Sequence, residues 1–230
     1  MTFEWSMTRS LPAAGPPAGT AIGHEEVTAE QAICFTPGTL LATPQGARAV
    51  ETLRPGDLVV TRDHGLQPLR WIGTRMIAGT GALAPITFAA GSLIGLERPL
   101  TVSPQHRILL RSPQAELYFG ESEVLVAALY LVGCVGVMQK PQPQVTYVHI
   151  LFDQHEVVYA EGAAAESFHP GDGALTALTA PAREELFNVF PELRGVSPSG
   201  GRTARRCLRR HEALMLSLPR GGFSQASQVL

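Results

Sequence analysis

Residues 34–60 read CFTPGTLLATPQGARAVETLRPGDLVV, and the way this stretch turns back on itself decides the architecture. Residues 39–43 are a short apolar run closed by the turn Pro44-Gln45-Gly46, and residues 47–53 pair back onto it as a hairpin. Arg54-Pro55-Gly56-Asp57 is a second turn, in which Pro presets φ and Gly is free to take a positive one. Residues 58–61 form the next strand, turned by Asp63-His64-Gly65. Working outward, residues 67–71, 75–77, 100–102, 107–110, 123–131, 146–152 and 156–161 are further short apolar runs between turn signals. Many short strands at close spacing predict a mainly β fold with long-range pairings, and helix confined mainly to the tail.

Composition bounds the remainder. A chain of 230 residues with 45% apolar content suits one large domain, or one domain with appendages. A formal net charge of -2 provides no field toward nucleic acid or a membrane surface. No apolar run reaches the roughly 18 residues of a membrane span. Residues 1–23 lack a basic start followed by an apolar block, so the expectation is a cytoplasmic protein, or one exported without a cleavable signal peptide. Cys34, Cys134 and Cys207 are odd in number and widely spaced, which is neither a disulfide framework nor a paired zinc site.

Three parts follow. Residues 1–30, rich in Pro, Gly and Ala, read as a flexible arm. Residues 31–170 hold the β runs. Residues 171–230 read as a helical, basic extension: a helix over 180–193 capped by Thr179 with Pro181 near its start, a Gly/Ser/Pro break, and a basic amphipathic helix over 202–216 (RTARRCLRRHEALML). The arginines there read as a solvated face ahead of a binding surface. Residues 219–230 look frayed.

Three segments carry groups suited to chemistry. Ile33-Cys34-Phe35-Thr36-Pro37-Gly38 sets a Cys directly before a tight turn; alone, such a Cys is most often a small buried hydrophobe. Ser103-Pro104-Gln105-His106 brings a hydroxyl and an imidazole to a fixed short spacing, with Thr101 close by; alone, it is equally well a turn with a surface His. In residues 147–157, strand alternation puts His149, Leu151, Asp153 and His155 on one face and Ile150 and Phe152 on the other. That face is either a polar site or a solvated strand surface. A metal reading, with His149, Asp153 and His155 as three ligands, is weaker, since the spacing fits no zinc-site pattern.

Taken together and in this order, the three blocks resemble the Hint (Hedgehog/intein-type) domain family over about residues 32–170. Cys34 resembles the family's leading Cys, residues 53–59 (LRPGDLV) its following turn-and-strand segment, Ser103 to His106 its TxxH block, and His155 the His of its C-terminal block. The resemblance implies a flattened β horseshoe with pseudo-two-fold symmetry. It implies as catalytic residues Cys34, Ser103, His106, His155, His149 and Asp153. Ser103 would hold the carbonyl oxygen of the peptide before Cys34, and His106 would protonate its departing nitrogen. No cofactor and no metal is required.

The implied activity is self-processing. Cys34 attacks the Ile33 carbonyl in an N-to-S acyl shift, and a further nucleophile releases residues 1–33, the chain's own N-terminal segment being the substrate. Splicing members end in His-Asn, whereas here the corresponding stretch runs Gly162 to His169 without Asn, and Asn188 is the only Asn of the chain. Full splicing is therefore not expected. Two rival readings remain: a degenerate Hint module that binds or presents a partner without cleaving, and a hydrolase acting in trans with Cys34 and His106 as its pair.

Overall fold

The computed structural model describes residues 33–169, 175, 178–189, 202–216 and 218. The expected flexible arm over residues 1–30 and the frayed end over 219–230 lie outside the described residues.

Strand β1 (Leu40–Thr43) and β2 (Gly46–Ala49) form the first hairpin, Thr43 facing Gly46 across a two-residue loop. After a single 3-10 turn, Arg54 to Asp57 make a type II turn: Asp57 N–H donates to the Arg54 carbonyl at 3.0 Å and Gly56 takes φ 94°. β3 (Leu58–Thr61) and β4 (Gly65–Pro68) form the second hairpin. The run expected over 67–71 is broken here. Leu69 is fully buried and bonds back to Gly56 and Asp57, so a new strand, β5 (Trp71–Gly79), starts only at Trp71.

Strands β6 (Ile86–Phe88), β7 (Leu100–Val102) and β8 (Arg107–Arg111) come next, then a short helix α1 (Pro113–Phe119) and β9 (Glu123–Ala127). The expected single run over 123–131 ends early, because residues 128–131 tighten into a 3-10 turn. Ala128 N–H thereby reaches the His106 carbonyl at 2.8 Å, and Leu129 N–H the Pro104 carbonyl at 2.9 Å. β10 (Val137–Gln139), β11 (Gln142–Leu151), β12 (Val157–Ala160) and β13 (Ala163–Glu166) complete the β part, followed by α2 (Ala180–Val189), β14 (Arg206–Leu208) and α3 (Arg210–Met215). Glu161 and Gly162, both with positive φ, make the two-residue turn between β12 and β13.

A nine-stranded sheet runs β14-β9-β8-β13-β12-β1-β2, with β3 and β4 branching from β12. β10-β6-β7 form a second sheet and β11-β5 a two-stranded third. Alternation along β5 and β11 divides the interior. Ile72, Val148 and Ile150 face the main core with Phe35, Val102 and Phe88. Trp71, Leu151 and Tyr147 face the opposite way, toward Ile33 and Cys34. The fold is mainly β, with few and short helices.

The tail differs from the expectation. Residues 202–216 do not form one amphipathic helix: β14 pairs in parallel with β9, and only α3 is helical. The backbone groups on the open edge of β9 accept a strand there, which satisfies both chains. Among the described residues, no helix is long and apolar enough to cross a membrane.

Candidate active site

Phe35 stitches the site together. It bridges β7 through Val102 on one side and β11 through Val148 on the other. Phe35 N–H donates to the Val148 carbonyl and Val148 N–H donates back, both at 2.9 Å. This fixes Cys34 beside the loop that leaves β7 and above the inward face of β11.

Ser103, the first residue after β7, grips Cys34 twice. Its Oγ accepts from the Cys34 N–H at 3.0 Å, and its own N–H donates to the Cys34 carbonyl at 3.0 Å. His149, projecting from β11, stands 3.0 Å by Nδ1 from the Ile33 carbonyl oxygen. The Cys34 Sγ lies 3.4 Å from Nδ1 and 3.5 Å from Nε2 of the same ring. Being almost equidistant, the sulfur is in line with neither lone pair. The directed bond of Nδ1 therefore goes to the carbonyl, with Nδ1–H as donor. The Cys34 sulfur, the Ile33 carbonyl oxygen and the Cys34 nitrogen thus each meet one side chain within hydrogen-bond or van der Waals range.

Every one of these groups is buried, and burial sets their protonation. It pushes the Cys34 thiol well up, while the Ser103 contact and the nearby charge of Arg75 act in the opposite sense. It pulls His149 down to about 4, against the bond to Ile33, with Arg75 pulling further down. His106 is also pulled down to about 4 by burial, which Glu166 and the Cys34 backbone only partly offset. At neutral pH the site holds a thiol and two neutral imidazoles.

His106 packs edge-on against Phe35, ring centroids 4.4 Å apart, and neither ring nitrogen has a hydrogen-bond partner of good geometry. The sequence assigned the carbonyl oxygen to Ser103 and the nitrogen to His106. In the structure it is His149 that meets the carbonyl oxygen and Ser103 that meets the nitrogen. Thr101 turns elsewhere, its Oγ1 3.1 Å from that of Thr87.

Asp153 and His155 do not join this cluster, because β11 ends at Leu151 and the strand alternation ends with it. Asp153 lies exposed in the following loop, paired with Arg70 at 2.9 Å through both carboxylate oxygens. His155 is buried in a separate polar cluster. Its Nε2 is 3.2 Å from Glu166, its Nδ1 accepts from Ala204 N–H at 3.1 Å, and its ring stacks on His169. His149, Asp153 and His155 therefore do not converge as metal ligands. Among the described residues, no group of His, Cys, Asp and Glu is arranged to hold a metal ion.

Sequence reasoning missed what surrounds the Ile33-Cys34 peptide. Ile33 packs in an apolar cluster with Trp71, Leu151 and Phe168 from the β side and Leu178 and Leu186 from the α2 side. Arg75 stands on the inward face of β5, opposite Tyr147. A charged residue alternating inward with Trp71 and Gly73 was the one available signal.

The sequence profile of the Hint domain matches residues 33–172, more than half of the chain. Solved structures with similar folds include the gp41-1 intein, at 10% identity and TM-score 0.39, covering 57% of this chain and 96% of that one. The MchDnaB-1 intein matches at 13% identity and TM-score 0.37, covering 58% and 99%. An intein-like domain from Clostridium thermocellum matches at 12% identity and TM-score 0.38, covering 59% and 99%. Among curated protein sequences, none matches. The chain belongs to the Hint domain family.

Proposed function

We propose that the chain is a self-processing domain that cleaves at Ile33-Cys34 by an N-to-S acyl shift without full splicing. The observation that carries this reading is His149 Nδ1 at 3.0 Å from the Ile33 oxygen with the Cys34 sulfur 3.4 Å from the same nitrogen. In the proposed step the Cys34 sulfur bonds to the Ile33 carbonyl carbon and the carbon–nitrogen bond breaks. The thiol proton ends on the nitrogen of Cys34, giving a thioester and a free amine. Nδ1–H of His149 holds the oxygen as negative charge develops on it. Nε2 of the same neutral ring, 3.5 Å from the sulfur, takes up the thiol proton once the sulfur turns into line with its lone pair. Ser103 Oγ accepts from the Cys34 N–H and holds that nitrogen in place, and the proton taken from the thiol passes to the nitrogen as the carbon–nitrogen bond breaks. Water or a thiol then attacks the carbonyl carbon, the carbon–sulfur bond breaks, and residues 1–33 leave as the free acid or as a new thioester.

The reading without cleavage draws on a different observation: Cys34 is fully buried and its thiol strongly favours the protonated form. One experiment separates them. The purified chain is incubated with a strong thiol and followed by intact mass. A fragment ending at Ile33, absent from Cys34→Ala, is the expected result. No fragment from the wild type favours the non-cleaving module, and equal cleavage in both proteins rules out the acyl shift.

A further inference from the structure

We infer that α2, lying against β5, forms with it a seat for a large aliphatic residue at the acyl position and gates that position so that only small nucleophiles reach it. This deepens the acyl-shift reading and rests on it. α2 lies beyond residue 172, where the match to the family ends, so its side of the seat stands outside the matched residues.

The seat is built from both sides of Ile33. Trp71, Leu151 and Phe168 come from the β side, and Leu178 and Leu186 close over the top, leaving Ile33 5% exposed. These side chains pack on Ile33 through apolar groups, so a charged or small polar residue there loses burial and gains no partner. The Trp71 indole lies across Gly73, where any Cβ would come within 2.2 Å of the ring. Only glycine lets the indole lie this flat, and the indole in turn forms the wall of the seat.

Beside the seat a shallow dent between β5 and α2, bordered by Thr74, Arg75, Thr179 and Ala182, points toward His149 but leaves no room for a water molecule between helix and strand. An acceptor taking this route meets the carbonyl carbon only as α2 lifts from β5. A second nucleophile therefore needs to be slim. On its attack a new bond to the Ile33 carbon forms, the bond to Cys34 Sγ breaks, and the acceptor's proton ends on that sulfur.

The test uses the full chain and two readouts. The first is alkylation of Cys34 by iodoacetamide in the uncleaved chain, with Cys134 and Cys207 as internal references. Leu186→Ser is expected to raise Cys34 labelling by about tenfold or more, leaving the other two cysteines unchanged. Ala182→Trp finds no room between α2 and β5, wedges them apart, and is expected to raise it as well. The second readout is the ratio of cleavage rates with hydroxylamine and with glutathione: the wild type favours hydroxylamine, and Leu186→Ser narrows the preference. If Leu186→Ser labels all three cysteines faster, it has unfolded, and Ala182→Trp decides alone. Unchanged Cys34 labelling in the folded variants overturns the gate, even where cleavage occurs. Labelling that responds as expected while neither nucleophile cleaves the wild type leaves the gate standing and removes the acyl shift.

Discussion

Ser103 and Cys34 hold each other by two hydrogen bonds of 3.0 Å, side chain to backbone in one direction and backbone to backbone in the other. The hydroxyl is thereby aimed at the nitrogen that departs in the proposed reaction. Ser103→Ala leaves a buried N–H without its partner, which costs about 1–3 kcal/mol. We expect a lower urea midpoint and slower cleavage together. Ser103→Thr keeps the oxygen and stiffens its rotamer, and should restore both. Loss of stability in Ser103→Ala with an unaltered cleavage rate would reduce Ser103 to a structural clamp.

His149 is expected to outrank His106 in the reaction. Its Nδ1 is in contact with the carbonyl oxygen on which charge develops, whereas His106 packs on Phe35. His149→Leu, close in volume, removes the donor, and the cleavage rate should fall by roughly 10²–10³-fold, as for other oxyanion donors. The rate of fragment release by mass spectrometry checks this. A His149→Leu chain cleaving at the wild-type rate would exclude the imidazole.

Both buried imidazoles make stability depend on pH. Each has its folded value near 4 against an ordinary 6.5. Between those values the unfolded chain takes up protons that the folded chain refuses, so stability present above pH 6.5 is lost as pH falls toward 4. The loss is about 3 kcal/mol for each ring over the whole interval. His64 acts in the opposite sense, because its bond to Glu156 raises its pKa, so its contribution is lost as pH rises through that raised value. It is exposed and screened, and the buried pair wins. Urea midpoints should therefore fall between pH 7.5 and pH 5, and His106→Leu should flatten the slope by about half. A midpoint that rises on acidification would contradict the burial of these rings in the folded state.

Where the sequence carries a local signal, the fold can be read from it. The strand expected over 100–102 coincides with β7, and both early hairpins form at the expected turns, although the return strand expected over 47–53 ends at Ala49, where residues 50–52 tighten into a 3-10 turn. α1 carries its own local signal: Ser112 caps it, Pro113 opens it and Gly120 closes it with φ 72°. What local pattern does not encode is partnership across the chain. Nothing in RTARRCLRRHEALML reveals that β9 has an open edge, so residues 206–208 read as helix when they are strand. Alternation placed His149 inward but could not say that β11 stops at Leu151, and Asp153 and His155 were carried along with it. The division of labour between Ser103 and His149 depends on the Phe35 bridge, which joins strands far apart in sequence.

Gly162 is a sharp test of the β12–β13 turn. It has φ 87°, and a Cβ built on it would stand 2.1 Å from the Gly95 carbonyl oxygen. Gly162→Ala thus meets both backbone strain and a backbone clash, together costing about 1–3 kcal/mol or more. Thermal unfolding should show a fall of several degrees, and an unchanged midpoint would mean that the two chain segments do not cross so closely.

The C-terminal strap offers a contest between charge and burial. Arg205 reaches Asp63 at 2.7 Å and Glu123 at 2.9 Å, and Glu123 is shared with Arg62. These side chains are partly open to solvent, so removing Arg205 should cost about 1 kcal/mol or less for each exposed pair. Leu208, three residues past Arg205, is 4% exposed and packs into the main core alongside Val124 and Val126. Leu208→Ala opens a cavity there and should cost about 2–5 kcal/mol. The ordering expected in urea denaturation is therefore Leu208→Ala well below Arg205→Ala, with Arg205→Ala close to wild type and less sensitive to added salt than the wild type is. Arg205→Ala as the more damaging change would mean that the strap is held by its ion pairs, and that β14 adds little beyond covering the edge of β9.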